Sequence, residues 1–386
     1  SFIRCIYFYS SAGIGPNKKV IGQCVHLIKN GLNVKLIIAA SQENADLTPE
    51  FFSINEKVLL SGPIGSGIFH RIRHQLMIRK AFIDIINSAS QSDIIYLRYP
   101  YPIFYMLFPF LRQRRLCKII NEHNTIEYKE FKMMGFYLNM FVDLLVGKFI
   151  INRADGIVGA TNEITSYEVM RSGNPKKSHI TIGNGIEVNK IKLRKPPCLT
   201  DHELILLCVA SFSRRHAIDR LLSGLALYRG NMTVRLYLVG DGQELPNLKK
   251  MVENLKLNNS VIFTGILSGN DLDNLFDKSH IAIGSLGLHR IDMKEGSILK
   301  VREYCARGIP FLYGCSDPDF PNDFPYIKRI HRDESPVDLE EIINFTERIY
   351  SDTDHHLKMR AYAEKNLDWS VKMKKLKDFC EVLVER

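Results

Sequence analysis

Short, nearly continuous apolar runs alternate along this chain with stretches in which apolar residues return every three or four positions. The first pattern predicts strands buried on both faces, the second amphipathic helices. In the first half the strand runs are residues 3–9, 34–39, 94–97, 117–121, 156–159 and 179–182, with helical spacing over 18–30, 71–88 and 140–152. The pattern then restarts. Strands are expected over 204–209, 234–239, 261–264, 281–283 and 310–313, and helices over 219–228, 245–255, 271–278 and 298–307. A last helical stretch, 366–384, carries the only tryptophan, Trp369, near its start. Alternation of this kind means parallel sheets covered by helices.

The break between the two series falls at a basic, Pro-containing stretch, Lys192-Leu-Arg-Lys-Pro-Pro197. The expected organisation is a first domain over 1–192, a linker over 193–199, a second domain over 200–365 and a terminal helix, 366–386, able to pack back on the first. Two domains suit 386 residues, because single cores stop growing near 250–300. Open parallel sheets bind ligands beyond the carboxyl ends of their strands. The fold class expected is therefore α/β, two Rossmann-like domains facing a central cleft.

Composition adds limits. Hydrophobic residues make up 45% and charged residues 24%, values of a soluble globular protein. No apolar run is long enough to span a bilayer. The eight cysteines are scattered without a C-x-x-C pair, which points to a reducing, cytoplasmic setting and to no metal cluster. Charge is uneven: residues 1–195 hold 26 Lys and Arg against 14 Asp and Glu, the remainder 26 against 28. The basic half favours an anionic partner, such as a membrane surface or a phosphorylated acceptor. Nucleic acid is disfavoured, since no zinc, helix-turn-helix or RNP pattern is present. The aromatic-rich stretch 99–111, followed by Arg112, Arg114, Arg115 and Lys118, suits a membrane interface and a lipid-linked acceptor.

The sharpest chemical signal is Glu295-Gly-Ser-Ile-Leu-Lys-Val-Arg-Glu303. On one helix the two carboxylates would stand about 12 Å apart. That is too far for an acid–base couple on one glycosidic bond, which needs roughly 5–9.5 Å, and it suits two grips on an elongated ligand. Gly296 permits close backbone approach, Ser297 is placed to cap the new helix, and the first-turn amides form an anion site. Nearer the start, Ser11-Ala-Gly13-Ile-Gly15-Pro-Asn-Lys18 lacks the third glycine of a dinucleotide fingerprint. It reads as an anion-tolerant loop with Asn17 as helix cap.

Four segments together resemble one family. Asn184-Gly185-Ile186, Val239-Gly240-Asp241-Gly242, Val261-Ile-Phe-Thr-Gly265 and Glu295 to Pro310 are similar, in order and spacing, to elements of the GT-B glycosyltransferases, specifically the large retaining group called family 4. The resemblance implies hexosyl transfer from a nucleotide-sugar to a hydroxyl acceptor with retention and without a cofactor or metal. It implies that Glu303 holds the ribose, that Glu295 binds donor-sugar hydroxyls, and that the amides of Gly296, Ser297 and Ile298 face the diphosphate. His123 would position the transferred hexose, and Gly13 and Gly15 would approach the diphosphate. The commonest use of the family implies bacterial surface polysaccharide or glycolipid assembly, with the chain cytoplasmic or peripheral at the inner membrane face.

One stretch departs from the pattern. The family's Arg and Lys after the first strand of the donor domain fall on Ser211 and His216 here. Arg214, Arg215, His216 and Lys300, with His289 and Arg290 as further candidates, would have to supply the phosphate charge. The departure keeps open a nonenzymatic nucleotide-sugar-binding subunit, and the same two-domain shape keeps open a sugar-nucleotide isomerase or epimerase.

Overall fold

The computed structural model describes residues 3–10, 14–40, 49–61, 68–99, 116–199 and 202–385. Seven strands, β1 (Arg4–Ser10), β2 (Asn33–Ala40), β3 (Glu56–Ser61), β4 (Asp93–Arg98), β5 (Lys118–His123), β6 (Gly156–Gly159) and β7 (Ser178–Thr181), form the first sheet. Its order is β3-β2-β1-β4-β5-β6-β7, with every neighbouring pair parallel. Six more, β8 (Glu203–Val209), β9 (Thr233–Val239), β10 (Val261–Gly265), β11 (Ile281–Ile283), β12 (Phe311–Tyr313) and β13 (Ile327–Arg329), form the second. Its order is β10-β9-β8-β11-β12-β13, again all parallel. Both sheets reverse their winding once, at β1/β4 and at β8/β11, where open α/β sheets open a crevice for ligands.

Alternation of side chains across each strand explains the apolar runs. From the first sheet, Cys5, Tyr7, Leu36, Ile94 and Tyr96 point into one core with Val20, Cys24 and Leu27 of the helix Ile14–Lys29. Their neighbours Ile6, Phe8, Ile37, Ile95 and Leu97 point into a second core with Ile78, Phe82 and Ile85 of the helix Ile68–Ser88. The first core also takes Trp369, Met373, Leu376, Cys380 and Leu383 from the terminal helix Trp369–Glu385. Gly22 allows this: a Cβ there would lie 3.0 Å from the Trp369 indole nitrogen.

Contacts divide the chain into residues 1–185 with 369–386, and residues 186–368. The stretch expected as a linker is packed on the second unit. Buried Arg194 donates to the carbonyls of Gly308 at 3.0 Å and Ser279 at 2.5 Å, and to Tyr350 Oη at 3.0 Å.

Other differences have local causes. The first helix begins at Ile14, so Asn17 lies inside its first turn instead of capping it. The edge strands β3 and β13 were not expected: Glu56-Lys57-Val58-Leu59-Leu60-Ser61 and Ile327-Lys328-Arg329 are too short or too charged to read as apolar runs. The aromatic stretch 100–111 and Arg112, Arg114 and Arg115 lie outside the described residues. No described helix is long and apolar enough to cross a membrane.

Candidate functional site

The loops after β8 and β11 meet at the second sheet's switch point. Leu286 and Gly287 donate their amides to the carbonyls of His216, at 3.2 Å, and Arg215, at 3.0 Å. Phe212 donates to the Asp241 carbonyl at 2.6 Å, tying in the turn after β9. Only glycine fits that turn. Gly240 has φ 127°, and a Cβ on it would lie 2.0 Å from the Ala210 carbonyl oxygen. Ala217 takes φ 49°, in the left-handed region, and closes the 3₁₀ turn Arg214–His216.

The segment 295–303 divides in two. Its helix covers Leu299–Arg307, so Glu295 precedes it, and the expected 12 Å helical spacing does not apply. Glu295 instead bridges Ser316, and the Gly296 amide donates to the Ser316 carbonyl at 2.9 Å. Ser297 is not the cap; Ile298 occupies that position, without a side-chain hydrogen bond. The Ser297 hydroxyl instead accepts from Arg302 at 2.9 Å.

That arginine was not anticipated. Arg302 is fully buried and forks onto Asp317, with Nη1 2.5 Å from Oδ2 and Nη2 2.8 Å from Oδ1, while Nη2 also reaches Asp319 at 2.7 Å. The Tyr313 hydroxyl lies 3.2 Å from the Gly296 carbonyl oxygen and 3.1 Å from Asp317 Oδ2. The loop carrying Glu295, Gly296 and Ser297 is thus fixed to the helix it precedes. Glu303 is partly exposed; its Oε1 accepts from Arg307 at 2.8 Å, and Arg307 also reaches Asp273 at 2.6 Å.

The candidate cations behave differently from one another. His216 accepts the Ser213 amide on Nδ1 at 3.1 Å, which assigns the neutral ring's proton to Nε2. Burial, with Lys300 and Arg215 beside it, holds the imidazole down to about 2, so it carries no charge near neutrality. Burial also lowers Lys300, whose ammonium lies 3.9 Å from the Cys208 thiol. Ser211 and Arg214 are exposed. His289 and Arg290 are engaged elsewhere: both pair with Glu334, and Arg290 also forks onto Asp219 at 2.9 and 2.7 Å. Arg214, Asp219, Glu244, Asn247, Arg290 and Glu334 help line a polar hollow of about 640 Å³.

In the first unit, His123 is the last residue of β5 and fully buried, and its Nε2 has no hydrogen-bond partner. Its Nδ1 faces Glu127 Oε1 at 3.3 Å and Glu168 Oε1 at 3.6 Å. The Tyr99 ring packs against it, tilted by 31°, with centroids 4.7 Å apart. Burial lowers the imidazole's pKa, pushes Glu127 well above the carboxylate range and raises Glu168 to about 7. Asp143, also buried, accepts from Tyr99 and pairs with Arg171 at 2.9 Å. Gly15 is helical, and Gly13 lies outside the described residues.

Two serial parallel α/β sheets of this order, the second carrying E-x7-E after β11, define the GT-B class of proteins. The glycosyl transferases group 1 family model matches residues 189–316. That match covers about a third of the chain, nearly all of it in the second unit, and its description agrees with the resemblance carried by the E-x7-E segment.

Two curated relatives are similar to it. N-acetyl-alpha-D-glucosaminyl L-malate synthase of Bacillus anthracis is 23% identical over 235 residues, 59% of this chain and 58% of that protein. Alpha-monoglucosyldiacylglycerol synthase of Streptococcus pneumoniae is 24% identical over 196 residues, 47% of this chain and 44% of that protein. The matches thus span about half the length of each relative. Among solved structures, sucrose-phosphate synthase from Thermosynechococcus elongatus superposes with a TM-score of 0.68 at 15% identity, covering 99% of both chains. Anabaena HepE in complex with UDP gives 0.65 at 14% identity, covering 97% of this chain and 98% of that one.

Proposed function

We propose that this protein transfers a hexosyl group from a nucleoside diphosphate sugar to a hydroxyl acceptor, with retention at the anomeric carbon and no metal at the diphosphate. The observation that carries the reading is the uncapped start of the helix Leu299–Arg307, with Glu295 before it and Glu303 within it, held in place by buried Arg302. In this reading the first-turn amides and Lys300 face the diphosphate, where charge builds as the sugar leaves. Arg215 and the His216 Nε2 proton add to that grip. Glu303 Oε2 holds the ribose, while Arg307 fixes the other carboxylate oxygen. Glu295 and His123 orient the sugar, and the departing phosphate oxygen accepts the acceptor's proton. HepE was solved with UDP bound, which supports a nucleotide donor.

The acceptor we propose is lipid-linked, as in glycolipid or surface polysaccharide assembly. The pneumococcal relative's name contains a diacylglycerol product. Along the helix Tyr137–Arg153, Tyr137, Leu138, Phe141, Leu144, Leu145 and Phe149 are exposed. Lys148 and Arg153 are exposed beside them, and the helix's single acid, Asp143, is buried. An apolar face rimmed by cations fits an anionic lipid surface.

The test is turnover. Purified protein is incubated with uridine, guanosine and adenosine diphosphate sugars and lipid-extract acceptors, and the product's anomeric linkage is read by NMR. Nucleoside diphosphate release with a retained linkage is expected. The neutral His216 and exposed Ser211 favour a second reading, a binding subunit without turnover. Donor-induced thermal stabilisation with no release from any donor would establish that reading instead.

A further inference from the structure

His123 and the two carboxylates that face its Nδ1 make a different kind of site from the proposed donor grip. His123, Glu127 and Glu168 come from β5, the helix Glu127–Met133 and the helix Asn162–Ser172, so the fold brings them together from separate elements. One ligand atom from each lies within 4.8 Å of the other two. The His123 Nδ1 to carboxylate separations, 3.3 and 3.6 Å, are poor hydrogen bonds but good polyhedron edges. Tetrahedral ligands at about 2.0–2.2 Å from one ion stand roughly 3.3–3.5 Å apart.

The second observation is a polar group left over. Glu168 is fully buried, neither carboxylate oxygen has a hydrogen-bond partner, and Oε1 points at His123 Nδ1. Acidic groups are also concentrated here. Glu127, Glu168 and Asp143 are all buried, with the guanidinium of Arg171 beside them, its Nη1 3.6 Å from Glu168 Oε2. A dication would let both glutamates ionise in this interior and would compensate their charge.

We infer that His123 Nδ1, Glu127 and Glu168 bind one divalent transition cation, Zn2+ foremost, in the interior of the first unit. One imidazole and two carboxylates suit Zn2+, with Mn2+ or Fe2+ as competitors. The cation is structural: it joins the end of β5 to two helices and fixes the His123 ring, which Tyr99 already packs against. Metal on Nδ1 leaves the proton on Nε2, the nitrogen without a partner. All three ligands belong to the first unit.

The full chain, purified without chelator and dialysed in metal-free buffer, is measured by elemental mass spectrometry. About one equivalent of Zn2+ per chain is expected. Chelator treatment then lowers the melting temperature, and added Zn2+ restores it. Co2+ loaded into the stripped protein gives the visible absorption of a four-coordinate site. In Glu168→Gln and, separately, Glu127→Gln, retained metal falls about tenfold or more. If either variant fails to fold, the wild-type arms still decide. No retained Zn2+, no response to chelator and no four-coordinate Co2+ spectrum would overturn the inference, as would a folded variant of each glutamate that binds Zn2+ like wild type.

Discussion

Arg302 and Asp317 meet as two parallel forks, 2.5 and 2.8 Å apart, with no side-chain surface exposed on either partner. Fifteen residues separate them in sequence, yet their pairing decides where Glu295 and Gly296 lie, because Arg302 also holds the Ser297 hydroxyl. Removing one partner leaves the other charge buried. Asp317→Asn should destabilise the protein by about 3–5 kcal/mol, measured by urea unfolding. Arg302→Lys should also lower stability and weaken donor binding, since one ammonium cannot reproduce the fork. Stability within error of wild type for both variants would contradict the clamp.

At Glu303 the proposed donor binding can be measured apart from folding. Its pairing with Arg307 is partly solvent-exposed, so Glu303→Gln should change stability by no more than about 1 kcal/mol. Loss of a charged hydrogen bond to ribose, about 1.5–3 kcal/mol, should weaken nucleotide-sugar affinity roughly 10- to 100-fold. Calorimetric titration checks this, and unchanged affinity would remove the ribose role.

His216 makes acid stability a readout of its environment. Its folded pKa, about 2, lies below the ordinary value of 6.5, so below pH 6.5 the unfolded chain binds a proton that the folded chain does not. Its contribution is therefore complete above pH 6.5 and lost as pH falls towards 2. His216→Gln should flatten the decline of melting temperature between about pH 6.5 and 4. Part of the slope will remain, because burial also lowers His355 to about 4. A curve parallel to wild type would mean that His216 titrates normally.

Much of this architecture is legible in the sequence because buried parallel strands are nearly uniform apolar runs. β8, Glu203–Val209, is one example. β13 escapes such reading because Ile327-Lys328-Arg329 is a short edge strand with only one apolar residue. The E-x7-E spacing marks the segment proposed to hold the donor, but Arg302 sits within it as an ordinary position. Only the later Asp317-Pro-Asp319 hints at a partner. Around His123, the H-x3-E spacing to Glu127 is visible in the chain. Asp143, Glu168 and Arg171 are single polar residues on helices, and nothing local distinguishes them from solvated ones until the fold buries them.

The exposed face of the helix Tyr137–Arg153 gives a membrane test. Phe141→Glu with Leu145→Glu replaces two exposed apolar residues one turn apart by acids. The wild type should float with vesicles containing anionic lipid, less so at high salt, and the double variant should remain in the soluble fraction. Both changes lie on the surface, so circular dichroism and melting temperature should stay close to wild type. Flotation that is equal for both proteins would exclude this helix as the contact.

The return of the chain at Trp369 has a consequence for biosynthesis. The helix that closes the first core, from Trp369 to Glu385, leaves the ribosome after every strand of both sheets. The 186–368 unit is contiguous and has all its strands once Asp368 has emerged. The first unit therefore closes its core only after the second has all its strands, and until the helix Trp369–Glu385 emerges the uncovered Val20, Cys24 and Leu27 surface is available to chaperones.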